Sequence, residues 1–129
     1  MAWVDLVTLL AVIQVIFLSI QVGRAHRRYG VKLPAMTGNE EFERYNRAHM
    51  NTVEWIVVFL PALWTAAKYW NPQWMALIGA VYLIGRVLYY RGYVVAVEKR
   101  NLGFALSTIP TLVLILFGLV GLARSLIAA

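Results

Sequence analysis

Residues 102 to 123 read LGFALSTIPTLVLILFGLVGLA, 22 consecutive positions without a formal charge. A helix needs about 20 predominantly apolar residues to cross roughly 30 Å of hydrocarbon, so this run makes the bilayer the solvent of the fold. Three further runs precede it. Trp3 to Val22 carries Asp5 as its only charge, Ala48 to Tyr69 is interrupted near its start by Glu54, and Trp74 to Val97 contains Arg86 and Arg91. The pattern predicts an all-α integral membrane protein, a four-transmembrane-helix bundle in a single domain over residues 1–129. Composition agrees: 61% of the chain is hydrophobic and 14% charged, against about a quarter charged in soluble domains. A cleaved signal peptide fits the first run poorly, since it lacks a basic leader and is too long.

The charges that remain are unevenly placed. Lysine and arginine number 12 against 6 acidic residues, a net charge of +6. Arg24, Arg27, Arg28, Lys32, Arg44 and Arg47 fall in the connection between the first two runs, and Arg86, Arg91, Lys99 and Arg100 near the third connection. Only Lys68 and Arg124 lie opposite, so the positive-inside rule puts both basic loops in the cytoplasm and both termini away from it. The membrane is expected to be a bacterial inner membrane or the endoplasmic reticulum. Trp70 and Trp74 suit the aromatic belt of the far interface. Pro61 and Pro110 should kink their helices, while Gly79, Gly85, Gly118 and Gly121 mark close helix approach. The apolar content sets nucleic acid aside as a partner and leaves membrane lipids. Without cysteine the chain has no disulfide, thiolate metal site or sulfur nucleophile of its own.

Ionisable groups inside such helices are expensive, roughly 2.5–3.5 kcal/mol each on insertion scales. Arg44, Arg47, Asn51 and Glu54 are spaced 3, 4 and 3 apart, one face of a helix. Glu54 therefore calls for a basic partner, with Arg47 and Arg86 the candidates. Arg86, Tyr89, Tyr93 and Arg100 form a second stripe, within about a 60° arc if the third helix continues through them. The two stripes predict a polar pocket at the cytoplasmic boundary, open on one side to lipid. Such a pocket fits a small water-soluble molecule with carboxylates for the guanidinium forks and an amine for Glu54, while an apolar second substrate enters from the bilayer. His26 and His49 flank this region without metal-ligand spacing and read as polar loop residues. Glu40, Glu41 and Glu43 read as solvated loop surface.

The segment Gly38-Asn39-Glu40-Glu41-Phe42-Glu43-Arg44-Tyr45-Asn46-Arg47-Ala48-His49-Met50-Asn51-Thr52-Val53-Glu54, followed by Val81-Tyr82-Leu83, Arg86, Tyr89, Gly92-Tyr93 and Arg100, resembles the MAPEG superfamily, the membrane-associated proteins of eicosanoid and glutathione metabolism. The likeness is to its branch of microsomal glutathione S-transferases and leukotriene C synthase, and covers nearly the whole chain. The resemblance implies a homotrimer with glutathione, as co-substrate, at each subunit interface. It assigns glutathione binding to Arg27, Arg47, His49, Asn51, Glu54, Arg86, Tyr89 and Tyr93, and thiol activation to Arg100. His26, His49 and Trp55 depart from the residues of the synthase. The activity implied is conjugation of glutathione to lipophilic electrophiles, with glutathione-dependent peroxidase activity as an additional reaction and no metal. A non-catalytic lipid-binding scaffold, like the five-lipoxygenase-activating protein of the same superfamily, is the alternative; a small multidrug transporter is a more distant one.

Overall fold

A computed structural model describes residues 1–129 as four helices and one short turn. They are α1 (Ala2–Arg28), α2 (Glu40–Tyr69), α3 (Pro72–Val95), a 3₁₀ turn (Val97–Arg100) and α4 (Asn101–Ala128). Local chemistry fixes their ends. Asn39 is extended and its side chain accepts from the Phe42 N–H at 2.9 Å, a helix cap followed by Glu40, Glu41 and Glu43 in the first turn, where carboxylates meet the positive end of the helix dipole. These glutamates are thus helix-start residues, where a loop was expected. Asn71 caps α3 in the same way, with Pro72 at the first helical position. The connection between α2 and α3 is as short as expected.

The helices outrun the apolar stretches that announce them. α1 continues past Val22 to Arg28, and α2 begins at Glu40, eight residues before the hydrophobic run. Arg24, Arg27, Arg28, Arg44 and Arg47 consequently stand on helices. All lie at one end of the bundle: Arg44 at the start of α2 donates its Nε–H to the Val94 carbonyl at the end of α3, 3.2 Å away. α1, α2 and α4 are long and apolar enough to cross a membrane by length and composition. α3 is long enough, at 24 residues or about 36 Å, but Arg86, Arg91 and its tyrosines dilute its hydropathy and keep it outside that set.

The bundle interior is filled by small and aromatic side chains. Val4, Val7 and Ala11 of α1, Phe59, Leu63 and Ala66 of α2, Tyr82 of α3 and Leu114 of α4 are buried in one cluster. Phe59 and Tyr82 stack face to face with centroids 3.6 Å apart. Both α2 and α4 run unbroken through Pro61 and Pro110. α3 and α4 meet most closely at two glycines. A Cβ on Gly85 would lie 2.5 Å from the Leu106 carbonyl carbon, and one on Gly103 would strike the Tyr89 backbone. The outer surface remains apolar: Leu9, Ile13, Ile16 and Ile20 of α1 and Ile109, Leu112, Leu116 and Leu119 of α4 are exposed, as lipid contact requires.

Because backbone has nowhere to retreat, Gly103→Ala should destabilise the bundle by about 1–3 kcal/mol, the usual range for overpacking. Thermal unfolding in detergent reads this as a lowered midpoint. An unchanged midpoint would mean that α3 and α4 separate more readily than their packing implies.

Candidate active site

The polar stripe of α2 meets that of α3 as their spacing predicts, through a chain of hydrogen bonds. Arg47 donates from Nη2 to Asn51 Oδ1 at 3.3 Å, and Asn51 donates from Nδ2 to the Tyr89 hydroxyl at 2.7 Å. The Tyr89 ring lies 5.4 Å from that of Tyr93 and 4.1 Å from the Arg86 guanidinium carbon. Tyr89 and Tyr93 are buried against Ala48, a small residue one turn ahead of Asn51 and Thr52. In one chain these groups form a packed polar face. The expected pocket is absent there because the two tyrosines and Asn51 fill the crevice between α2 and α3. The larger cavities are lined by other residues, and a recess of about 60 Å³ touches this face through Arg86.

Arg86 is buried among them, 4% exposed. Its acceptors are hydroxyls. Nη2 donates to Thr52 Oγ1 at 2.7 Å and Nη1 to Ser107 Oγ at 3.2 Å. Each hydroxyl is free to accept because its own proton goes to a helix carbonyl, Thr52 to Ala48 at 2.9 Å and Ser107 to Gly103 at 2.8 Å. The Nε–H finds no protein acceptor. A guanidinium stays charged in any protein environment, so a full positive charge sits among helices α2, α3 and α4 without a carboxylate. Cation–π attraction from Tyr89 supplies part of the missing stabilisation.

Several expectations are corrected here. Glu54 is exposed and pairs with neither Arg47 nor Arg86; the chain's one ion pair joins Arg44 to Glu40 at 3.8 Å. Its side chain projects outward because Thr52, two residues earlier, takes the inward position beside Arg86. Arg100 does not extend the α3 stripe. The chain leaves the helix at Ala96, which is extended, and Arg100 closes the following 3₁₀ turn, half-buried, donating from Nη1 to the Val97 carbonyl at 3.0 Å. Gly92 lets the Lys99 carbonyl approach α3 closely enough for this reversal. Arg27 is exposed in the last turn of α1, and His49 is half-buried on α2, so neither is a loop residue. His26 is buried, its Nδ1 2.9 Å from the Val31 carbonyl and its ring 4.4 Å from that of Phe42; it braces the α1–α2 connection. Trp55 donates its indole N–H to Thr111 Oγ1 at 3.2 Å, a proton spent within the chain. Sequence reasoning missed Thr52, Ser107 and Thr111, whose only signal is a hydroxyl in an apolar helix.

A bundle of long apolar helices with an arginine-rich polar face at one end is the architecture of a small integral membrane protein. Family comparison makes this specific: the MAPEG family model matches residues 4–120, and the chain belongs to that family. It is 42% identical over 119 residues to human microsomal glutathione S-transferase 2, covering 92% of this chain and 81% of that one. An uncharacterized protein of Synechocystis sp. is 47% identical over 120 residues, 93% and 88% of the two chains. Leukotriene C4 synthase of Cavia porcellus is 43% identical over 94 residues, 73% and 63%.

Thr52→Val preserves shape but removes the nearer acceptor of Arg86. Leaving a charged donor unmet should cost about 1.5–3 kcal/mol, more than Ser107→Ala, whose bond to Arg86 is longer. Equal melting midpoints for Thr52→Val and the native protein in detergent would remove Thr52 from the support of Arg86.

Proposed function

We propose that this chain is a membrane-bound glutathione S-transferase that activates the glutathione thiol for attack on lipophilic electrophiles. The observation that carries the reading is the Arg47–Asn51–Tyr89–Arg86 face, found in a chain 42% identical to a protein named as such a transferase. Glutathione has two carboxylates, an ammonium and a thiol. Arg47 and Arg86 suit the carboxylates, whose bidentate geometry matches guanidinium, and Glu54 suits the ammonium. Asn51, His49, Tyr89 and Tyr93 supply the remaining polar contacts. The tripeptide is thereby held near its attacking geometry.

Arg100 is assigned the thiol. A free thiol of pKa about 8.5 is only slightly ionised at neutral pH, and the thiolate is the nucleophile. Lowering that pKa by about two units takes about 2.7 kcal/mol of preference for the anion. One guanidinium about 4 Å from the sulfur at an effective dielectric of about 20 supplies roughly 4 kcal/mol before desolvation, so a single arginine suffices. The thiolate then adds to an electrophilic carbon of a lipophilic substrate arriving from the bilayer, and the leaving group or a proton balances the adduct. The same thiolate can attack the terminal oxygen of a lipid hydroperoxide, breaking the O–O bond to release the lipid alcohol. A second glutathione converts the resulting sulfenic acid to glutathione disulfide and water, which completes the glutathione-dependent peroxidase reaction. No metal takes part in either step.

The assembly proposed is a homotrimer with glutathione between neighbouring subunits. Its support is that Arg27 and Glu54 are exposed and without ion-pair partners in one chain, and that the polar face of one chain is not enclosed. A second chain laid on this face would enclose it and bring its own α1 arginine. All four helices cross the membrane in this reading, α3 included, with the basic end in the cytoplasm and the termini on the far side.

Purified protein mixed with glutathione at neutral pH should show the ultraviolet absorption of the thiolate. Arg100→Ala should return the bound thiol to a pKa near 8.5 and lower kcat/KM for an aryl halide by at least about tenfold, roughly 1.4 kcal/mol of transition-state stabilisation. A native protein that binds glutathione without thiolate absorption would be a scaffold, and one whose absorption survives the substitution would owe it to another residue. Glu54→Gln should raise the KM for glutathione with little change in kcat, the mark of a residue that binds the ground and transition states alike.

A further inference from the structure

The basic residues at the active end do not all serve the polar face. Arg24 and Arg28, one turn apart on α1, line a crevice of about 180 Å³ with Gln21, Ala25, Tyr29 and Tyr45. None of the residues assigned to glutathione borders it. Arg28 lies 5.3 Å from the centre of the Tyr29 ring, and neither arginine is in an ion pair. Glu41 is close to the Tyr29 hydroxyl. Partial desolvation and that carboxylate push the Tyr29 pKa up, so its phenol stays a neutral hydrogen-bond donor.

From this crevice a file of aromatic rings descends toward the apolar middle of the bundle. Tyr29 and Tyr45 are 6.3 Å apart, Tyr45 and Tyr90 6.1 Å, and Tyr90 and Phe17 5.9 Å. Phe17 stands eleven residues before Arg28, about 16 Å along α1, and is exposed among the exposed Ile13, Ile16 and Ile20. A small recess of about 60 Å³ lined by Gln14, Phe17, Leu18, Arg86, Val87 and Tyr90 continues the groove. Two guanidiniums above a lipid-depth aromatic groove match one ligand shape, an anionic head on an apolar tail. A soluble anion would use only the upper part.

We propose that this groove between α1 and the tyrosines of α2 and α3 binds one anionic phospholipid per chain, its phosphate held by Arg24 and Arg28 and one acyl chain lying along Tyr90 and Phe17. Net charge favours an anionic head over a zwitterionic one, since two arginines and no acidic residue line the crevice. The head-group crevice shares no residue with the glutathione reading; Arg86, at the lower recess, is the one residue that borders both.

Native mass spectrometry of the delipidated protein in detergent, without glutathione, tests it. Phosphatidylglycerol should be retained at least about tenfold more strongly than phosphatidylcholine. The double variant Arg24→Gln/Arg28→Gln should lose this preference, and Lys32→Gln/Lys99→Gln, with the same loss of charge, should keep it. Phosphatidylglycerol should also raise the melting midpoint of the native protein and not that of the Arg24→Gln/Arg28→Gln variant. Equal losses in the two double variants would overturn the site in favour of diffuse attraction. Displacement of the lipid by equimolar inorganic phosphate would overturn it in favour of a soluble anion. The thiolate absorption with glutathione should be unaffected in Arg24→Gln/Arg28→Gln, so the two readings fail separately.

Discussion

The structure turns on a positive charge buried without an anion in its own chain. Arg86 enters from α3, and the groups that receive it come from α2 through Thr52 and from α4 through Ser107. Burial of an unpaired ion costs several kcal/mol even after relaxation, and neutral hydroxyls recover only part of that. The same hydroxyls are pinned by their own helices, so Arg86 is held in one place. Its field therefore points at a fixed location, the Tyr89 and Asn51 side of the α2–α3 seam. An anion arriving there gains from a cost the fold has already met, because the partner need not be reorganised when it binds.

This constraint sorts the arginines into two kinds. Arg86 is desolvated and fixed, so its interaction with an anion is screened little by salt. Arg24, Arg27, Arg28 and Arg47 are exposed, and their contribution is long-range attraction toward one end of the bundle. Arg100 lies between these cases, half-buried at the end of a short turn whose own carbonyl takes one of its protons. That position suits the thiol-activating role proposed for it. One part of the side chain is accessible, and a backbone carbonyl limits where the rest can move. The division also gives physical sense to an apolar protein with a net charge of +6.

Most of the helices and half of the site were legible in the residues. Apolar runs announce α1, α2 and α4, whereas the helix starts at Asn39 and Asn71 lie ahead of the runs and appear only in the structure. The 3- and 4-residue spacing of Arg47 with Asn51 and of Arg86, Tyr89 and Tyr93 is local geometry, and it survives intact. What failed was tertiary. Nothing between Tyr93 and Arg100 is a proline, and the helix ends because Gly92 and Gly103 bring the following segment against α3. Electrostatic intuition paired Glu54 with Arg47 or Arg86, but a helix turn places Thr52 inward and Glu54 outward. A threonine and a serine in apolar helices look like any others, so the true partners of Arg86 left no trace in the pattern.

The absence of cysteine acquires a reason in this arrangement. A thiol within reach of Arg100 would itself be drawn toward the thiolate, since the field that lowers one thiol pKa lowers any other at the same distance. It would then compete with glutathione for the electrophile or close a mixed disulfide with it. A chain that supplies only guanidinium, phenol, amide and hydroxyl groups keeps its strongest nucleophile on the substrate. In the proposed reaction the one thiol at the site is then glutathione's own, and it leaves with the product.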